Sequence, residues 1–356
     1  MRRPIPRSCL VSSFSLTTGL GQLARSLFDL GFFEEHTLFK VRKGDPEAGF
    51  TRVVRVPLNV AGSGALLSRF APSQWSTFAR TFDYIHFSSP HFFHLADRPR
   101  VATGTVADLF FLREYDDQQN PTTFRWYFRR EMKFLDRLAG VVTISRVTDA
   151  RLRTLRPDLR STVIHPWTDD RFTPRDIGSA RRRLGLPEDK VILLHVGAAS
   201  RRKNLALLTK VLRRLDPNFL LVRVGPESPE DTRVSADRMR RFGSVSAEDY
   251  PFFFNAADVV LQPSRAEGFG VPLIEALNSG TPIVASDIGV FREILGPEYP
   301  YLAPVDDAER WEDRIREVVG HGRSRSVAPL ASWRSYYRVE RARQDFGRFF
   351  HRVGLT

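Results

Sequence analysis

The stretch from Asp258 to Asp287, DVVLQPSRAEGFGVPLIEALNSGTPIVASD, constrains what this chain can fold into more than any other. Val259, Val260 and Leu261 form a continuous apolar run, the pattern of a strand covered on both faces in a parallel sheet. Pro263 and Ser264 stop that strand. Pro272 suits the first position of a helix, where the missing N–H costs nothing, and Gly280 suits the helix end. The stretch therefore predicts strand, loop, helix, turn and strand. Glu267 lies in the loop and Glu275 about one turn inside the helix, with the backbone of Gly268, Phe269, Gly270 and Val271 between them. Unpaired N–H groups and the helix dipole make such a start a site for an anion, a phosphate above all.

At 356 residues the chain is too long for one compact core and suits two domains. Further strands are expected at 9–16, 101–108 (VATGTVAD), 141–145, 191–197 (VILLHVG), 220–225 and 239–245. Leu23, Leu27 and Leu30, and again Leu205, Leu208, Leu212 and Leu215, recur at helical spacing. Residues 166–187, rich in Pro, Asp and Arg, read as the linker between domains. Strand alternating with helix gives an α/β class built on two doubly wound parallel sheets. We place one domain at 1–168, completed by a terminal helix at 337–356, and a second at 169–336.

Between the first strand and its helix stand Gly19 and Gly21, which let backbone approach a bound phosphate. Gly19 to Ala24 also fits G-x-G-x-x-A, the dinucleotide fingerprint, and supports a rival reading as a nicotinamide-dependent oxidoreductase. That rival needs an acidic residue after a second strand, for which Asp45 is the nearest choice. It leaves the Glu267 to Glu275 segment without a role.

The formal charge of +13 attracts anionic partners: nucleotide sugars, anionic lipid leaflets or nucleic acid. Of 54 basic residues six are lysines, and the arginine fork suits phosphate, although genomic base composition can produce the same bias. A nucleic-acid-binding or nucleic-acid-glycosylating protein is thus a third reading. The single cysteine, Cys9, excludes an internal disulfide framework and a cysteine zinc site, and a reducing cytoplasm is the expected home. The opening residues are read as a strand rather than a signal peptide, and no run of about 18 apolar residues suggests a membrane span. His86, His91 and His94 lack metal-ligand spacing, and the Asp-Asp pairs at 116, 169 and 306 read as turns, so no metal is expected. Residues 122–139, TTFRWYFRREMKFLDRLA, read as a basic helix, either packed on its sheet with arginines outward or docked on a membrane or acceptor.

The pattern PS-x-x-EGFG-x-P-x-x-EA-x-x-x-G-x-P-x-x-AS, with Glu267 and Glu275 in E-x7-E spacing, resembles the donor-binding segment of the retaining family 4 glycosyltransferases. The likeness extends over most of the chain, with strong motifs after residue 190 and weaker ones before it. It implies the GT-B architecture, two Rossmann-like domains facing a cleft, with 1–168 on the acceptor side and 169–336 binding the donor, and transfer of a hexose from a UDP- or GDP-linked donor to a glycan, lipid-linked or other acceptor. In the resemblance Glu267 meets the donor sugar, the Gly268, Phe269, Gly270 and Val271 amides and Lys203 hold the diphosphate, and Glu275 takes the ribose hydroxyls. It likewise implies that Gly19 and Gly21 face the diphosphate, that the Val245 backbone meets the nucleobase, and that Asp108 belongs to the catalytic set. Where the family has a second diphosphate arginine this chain has Ala198, so Arg201 or Arg202 takes that part; Ala107 replaces the family's histidine beside Asp108. Neither a cofactor nor a metal is implied. Together with the charge and the 122–139 helix, the resemblance leads us to expect a cytoplasmic enzyme of glycan synthesis, peripheral at an anionic inner membrane face.

Overall fold

A computed structural model describes residues 5–14, 18–40, 48–55, 77–97, 99–110 and 122–355. The chain divides into two compact units, Met1–Pro166 with Ala342–Thr356, and Trp167–Arg341.

The first unit is built from β1 (Ser8–Ser12), α1 (Gly19–Asp29), β2 (Glu35–Lys40), β3 (Arg52–Arg55), β4 (Tyr84–Phe87), β5 (Val101–Val106), α2 (Thr122–Glu131), β6 (Gly140–Thr143), α3 (Arg146–Leu155) and β7 (Ser161–Val163). Its strands are all parallel, in the order β3-β2-β1-β4-β5-β6-β7, which winds outward from β1 in both directions. The expected first strand is shorter than 9–16, ending at Ser12. Gly19 and Gly21 stand in the first turn of α1 rather than in a loop before it, because Thr18 caps the helix by accepting the Gly21 N–H at 3.1 Å. Asp45, the acid that the nicotinamide reading would use, lies outside the described residues.

The helix expected over 122–139 is α-helical only to Glu131 and continues as a tighter 3-10 segment, Met132–Arg137. At the junction Glu131 is fully buried and accepts the His94 backbone N–H at 2.9 Å. Tyr127, Phe128, Met132 and Leu135 pack inward while Trp126 stays 54% exposed. The three histidines have separate partners. His86 bonds Thr103 (2.7 Å) and Thr105 (2.9 Å), His91 bonds Ser89 (3.0 Å) and His94 bonds Glu131. Among the described residues no His, Cys, Asp and Glu group is arranged to hold a metal.

The C-terminal helix Val339–Arg352 completes this unit through Phe346, Phe349 and Phe350, all buried. Phe350 meets Phe32, Phe33 and Tyr84 with ring centroids 4.9, 5.8 and 5.7 Å away. Gly140 permits this approach, since a Cβ there would lie 2.9 Å from Phe349 and Val353.

The second unit contains α4 (Ile177–Leu184), β8 (Val191–Val196), α5 (Leu205–Arg214), β9 (Phe219–Val224), β10 (Met239–Phe242), α6 (Tyr250–Ala256), β11 (Val259–Gln262), α7 (Val271–Ser279), β12 (Ile283–Ser286), α8 (Gly289–Leu295), β13 (Leu302–Ala303) and α9 (Ala308–Val327). Its parallel order β10-β9-β8-β11-β12-β13 reverses direction between β8 and β11. Ligands in such sheets sit beyond the carboxyl ends of the strands at that reversal. The stretch read as a linker at 166–187 is in part helical. Asp176 caps α4 by accepting the Ser179 N–H, Gly185 closes it in the left-handed region, and Arg181 is buried against the carbonyls of Ala256, Glu188 and Lys190. Charged composition there reflects capping and carbonyl binding, not an open tether. No helix among the described residues is long and apolar enough to cross a membrane.

Phe350→Ala removes a fully buried ring from the first unit, and we expect a loss of roughly 3–5 kcal/mol. Urea unfolding followed by tryptophan fluorescence should show a lowered midpoint for the affected transition.

Candidate functional site

The carboxyl ends of β8 and β11 meet at a buried ion cluster. After β8 the chain passes Gly197 and forms a single 3-10 turn, Arg201–Lys203, ended by Asn204 in the left-handed region (φ 54°). This turn sends Lys203 inward, where it is 9% exposed, and leaves Arg201 on the surface. After β11 come Pro263 and Ser264, then Glu267, 8% exposed. Glu267 Oε1 accepts Lys203 Nζ and the Ser264 hydroxyl, each at 2.7 Å, and Oε2 accepts Arg202 Nη1 at 2.6 Å. Arg202 Nη1 also donates to the Ala266 carbonyl at 2.8 Å, and its own carbonyl accepts the Arg265 N–H. Burial alone would raise the Glu267 pKa, but the Lys203 and Arg202 charges with the Lys203 and Ser264 hydrogen bonds bring it down to about 2. Glu267 is an ion at any physiological pH, with both oxygens occupied.

Behind the cluster His195 is fully buried, its Nδ1 3.0 Å from the Leu261 carbonyl. Desolvation first, and then the charges of Lys203 and Arg223, lower its pKa to about 3, so it is neutral.

Four residues after Glu267, α7 begins. Its cap, Gly270, has φ +130°, and a Cβ there would lie 2.8 Å from the Phe291 ring, so only glycine fits. Pro272 occupies the second helical position rather than the first, because the helix starts at Val271. The backbone N–H groups of Gly268, Gly270 and Val271 have no hydrogen-bond partner among the described residues. Phe269 is buried against Tyr337 (5.8 Å between centroids), so of this residue only the main chain is available to a ligand.

Glu275, inside α7, is 7% exposed but has the opposite electrostatic character. Its Oε2 accepts the Tyr250 hydroxyl at 2.8 Å. Burial pushes its pKa up to about 8; the Tyr250 bond and Arg171 pull it down, while Asp169 raises it further. Val245 lies half-buried in the loop between β10 and α6, two residues before Ala247, whose carbonyl accepts Arg171 Nη1 at 3.0 Å.

Thus Arg202, Lys203 and Glu267 are joined in one cluster beside the Gly268 to Val271 backbone, and Glu275 with Val245 lies in the same unit. Of the two arginines left open, Arg202 joins the cluster, whereas the Arg201 side chain makes no hydrogen bond among the described residues. Gly19, Gly21 and Asp108 belong to the first unit, where Asp108 Oδ1 accepts the Phe110 N–H at 3.3 Å. Sequence reasoning missed Ser264 and Tyr250 as carboxylate partners. The Ser264 role was legible in principle, since a hydroxyl three residues before a buried acid can fold back on it; nothing local ties Tyr250 to Glu275.

Residues 176–327 match the model of the group 1 glycosyl transferases. A D-inositol 3-phosphate glycosyltransferase of Mycobacteroides abscessus is 32% identical over 195 residues, 49% of this chain and 44% of the relative. One from Saccharomonospora viridis is 32% identical over 229 residues, 56% of this chain and 53% of the relative. The chain thus spans about half the length of these curated relatives. Among solved structures, sucrose-phosphate synthase from Thermosynechococcus elongatus superposes with a TM-score of 0.78 at 21% identity over 99% of both chains. Anabaena HepE in complex with UDP and glucose gives 0.78 at 16% identity over 97% of this chain and 99% of that one. At these identities the likeness shows the fold, which is GT-B.

The two carboxylates should oppose each other in the pH dependence of stability. The Glu267 contribution is present above its ordinary value of 4.5 and is lost as pH falls toward about 2. That of Glu275 is present below 4.5 and is lost as pH rises toward about 8. Glu267→Gln, which leaves two cations uncompensated, should cost roughly 3–5 kcal/mol at pH 7. Glu275→Gln should flatten the alkaline side of the profile. Melting temperatures of the three proteins from pH 3 to 9 would check both signs.

Proposed function

Residues 176–327 belong to the group 1 glycosyl transferases, and from that premise we propose that the protein moves a hexose from a UDP- or GDP-linked donor to a glycan, lipid-linked or other acceptor. The observation that carries this reading is the pairing of Lys203 and Arg202 with a permanently ionised Glu267 beside the open start of α7. With Glu267 ionised the two cations still leave the cluster net positive, and together with the row of amide N–H groups they can bind a diphosphate without an added ion; the reading is accordingly metal-independent and without a cofactor. Glu275 takes the ribose hydroxyls and Val245 backbone the nucleobase. HepE, described with UDP-glucose, supports a nucleotide sugar as the donor class by analogy of fold.

The chemistry follows from what these groups can stabilise. The acceptor hydroxyl attacks the anomeric carbon on the face from which the diphosphate departs, and the departing oxygen takes the acceptor's proton, so configuration is retained. Negative charge grows on the diphosphate as its bond to the sugar breaks. Fixed donors at that position lower the barrier more than they lower the energy of the bound donor. Glu267 holds the cations in place, and its Oε2, which accepts from Arg202 alone, keeps a lone pair with which to accept a sugar hydroxyl.

For the acceptor, the exposed Trp126 and Arg129 on α2 together with the net charge of +13 support a lipid-linked precursor at an anionic membrane surface. Polybasic attraction is worth about 1 kcal/mol per residue near such a leaflet.

Calorimetry with UDP, GDP and their sugars should show a loss of about tenfold to a hundredfold in affinity for Lys203→Ala, the magnitude of a lost charge-assisted hydrogen bond. NMR of the product should show the donor's anomeric configuration, and chelator should leave the rate unchanged. An inverted product or full dependence on added magnesium would contradict the scheme. In a separate test, co-sedimentation should recover the protein on anionic but not neutral vesicles, and Trp126→Ala should weaken that recovery severalfold.

A further inference from the structure

The segment Ser246 to Tyr250 is a closed turn. Ser246 Oγ donates to Asp249 Oδ2 at 2.8 Å, the Asp249 N–H donates back to Ser246 Oγ at 2.9 Å, and the Tyr250 N–H donates to the Ser246 carbonyl at 3.0 Å. Arg183 fastens the turn from outside through Glu248 and Asp249, both at 2.7 Å. Arg171, itself held by two nitrogens on Asp169, bonds the Ala247 carbonyl. The Tyr250 ring is wedged edge-on against Phe172 and Phe254, with centroids 5.9 and 5.5 Å away. The turn and the two ring contacts restrain the phenol, and its hydroxyl donates to Glu275 Oε2. Glu275 Oε1 has no hydrogen-bond partner among the described residues.

We infer that Tyr250 is a positioning residue for the nucleoside of the donor: its hydroxyl fixes one oxygen of Glu275 so that the other presents a single orientation to a ribose diol. The inference rests on the donor reading of Glu275 given above. Because Val245 immediately precedes the same turn, the base contact and the ribose contact are set by one rigid element rather than by two independent loops. A carboxylate that must accept from a vicinal diol gains from having its rotation stopped beforehand.

The same bond bears on protonation. The groups around Glu275 are Tyr250 from α6 and Asp169 and Arg171 from the segment before α4; burial and Asp169 favour the neutral acid, Tyr250 and Arg171 the ion. An ionised carboxylate accepts ribose hydroxyls more strongly than the neutral acid, so nucleotide affinity should rise with pH up to about 8. Removing the phenol oxygen moves that midpoint upward.

The test titrates UDP and GDP into the wild-type chain, Tyr250→Phe and Glu275→Gln between pH 6 and 9.5, and follows the Glu275 carboxyl carbon by 13C NMR without ligand. Phenylalanine keeps the ring contacts, and equal melting temperatures serve as the folding control. The expected result for Tyr250→Phe is about tenfold weaker binding at pH 8, with the midpoint of binding and of the NMR titration both moved to higher pH. Tyr250→Phe binding as wild type, or binding more weakly with both midpoints unmoved, would overturn the inference; if Glu275→Gln still lost affinity, the donor reading would stand. Unchanged binding by Glu275→Gln, or no nucleotide binding by the wild type, would overturn both.

Discussion

Keeping Glu267 ionised while it is 8% exposed is the constraint from which the second unit's site follows. Removing a carboxylate from water is costly by several kcal/mol unless charge and hydrogen bonds are returned to it. Here the compensation comes from both sides of the β8/β11 reversal: Lys203 and Arg202 from one, Ser264 from the other. To deliver two consecutive cations to one carboxylate, the chain after β8 must turn tightly, and Asn204 takes a left-handed conformation to end that turn and start α5. Asn204 is held there by donating to the Val305 carbonyl at 2.7 Å, and Arg265 bonds both Asn204 and Asp306. The loops at the carboxyl edge are thus fixed by the demands of one buried charge.

Two glutamates eight positions apart end with pKa values near 2 and near 8. Nothing in the spacing separates them. Glu267 faces cations carried by the other half of the sheet, whereas Glu275 projects from a buried helix toward a neutral phenol and an Arg171 already neutralised by Asp169. Divergent environments give acid groups divergent work. One is a fixed anion that organises cations, and the other is pushed by burial toward the neutral acid.

The architecture was legible because the central strands of the second unit are continuous apolar runs. Val259 to Leu261 and 191–197 could be covered on both faces only in a parallel sheet, and Gly280 ends α7 where it was expected. The adjacency of Lys203 and Glu267 was not derivable from spacing, since it depends on β8 and β11 lying side by side across 64 residues of chain; the family pattern supplied it. Arg202 and Arg201 were indistinguishable until the 3-10 turn directed one inward. The helix at 177–184 was hidden because its stretch, rich in Pro, Asp and Arg, read as a linker, while Arg181 is a buried donor to three carbonyls and to Asp258. Tyr250 escaped notice because a tyrosine among phenylalanines looks like core, and only the direction of its hydroxyl separates the two roles.

Helix α7 shows why an opening at its start is informative. From Leu273 to Ser279 every residue is buried, so both helix ends must find partners inside the protein or leave polar groups exposed to whatever occupies the site. The carboxyl end is closed by backbone and arginine donors. Gly280 in the left-handed region donates to Ala276 and Leu277, the Thr281 N–H donates to Ala276 at 2.9 Å, and Arg323 reaches the Gly280 carbonyl at 2.7 Å and the Thr281 hydroxyl. Burial lowers the Arg323 pKa to about 10, which still leaves it charged. The amino end has no side-chain cap, and a glycine stands where Ser, Asp or Asn would have supplied one. A cap omitted at one end of a helix whose other end is closed by an arginine, a glycine and a threonine is not economy of sequence. It leaves positive backbone groups facing the same space as Lys203 and Arg202, where an anionic ligand can supply the missing acceptors and be held by them in return.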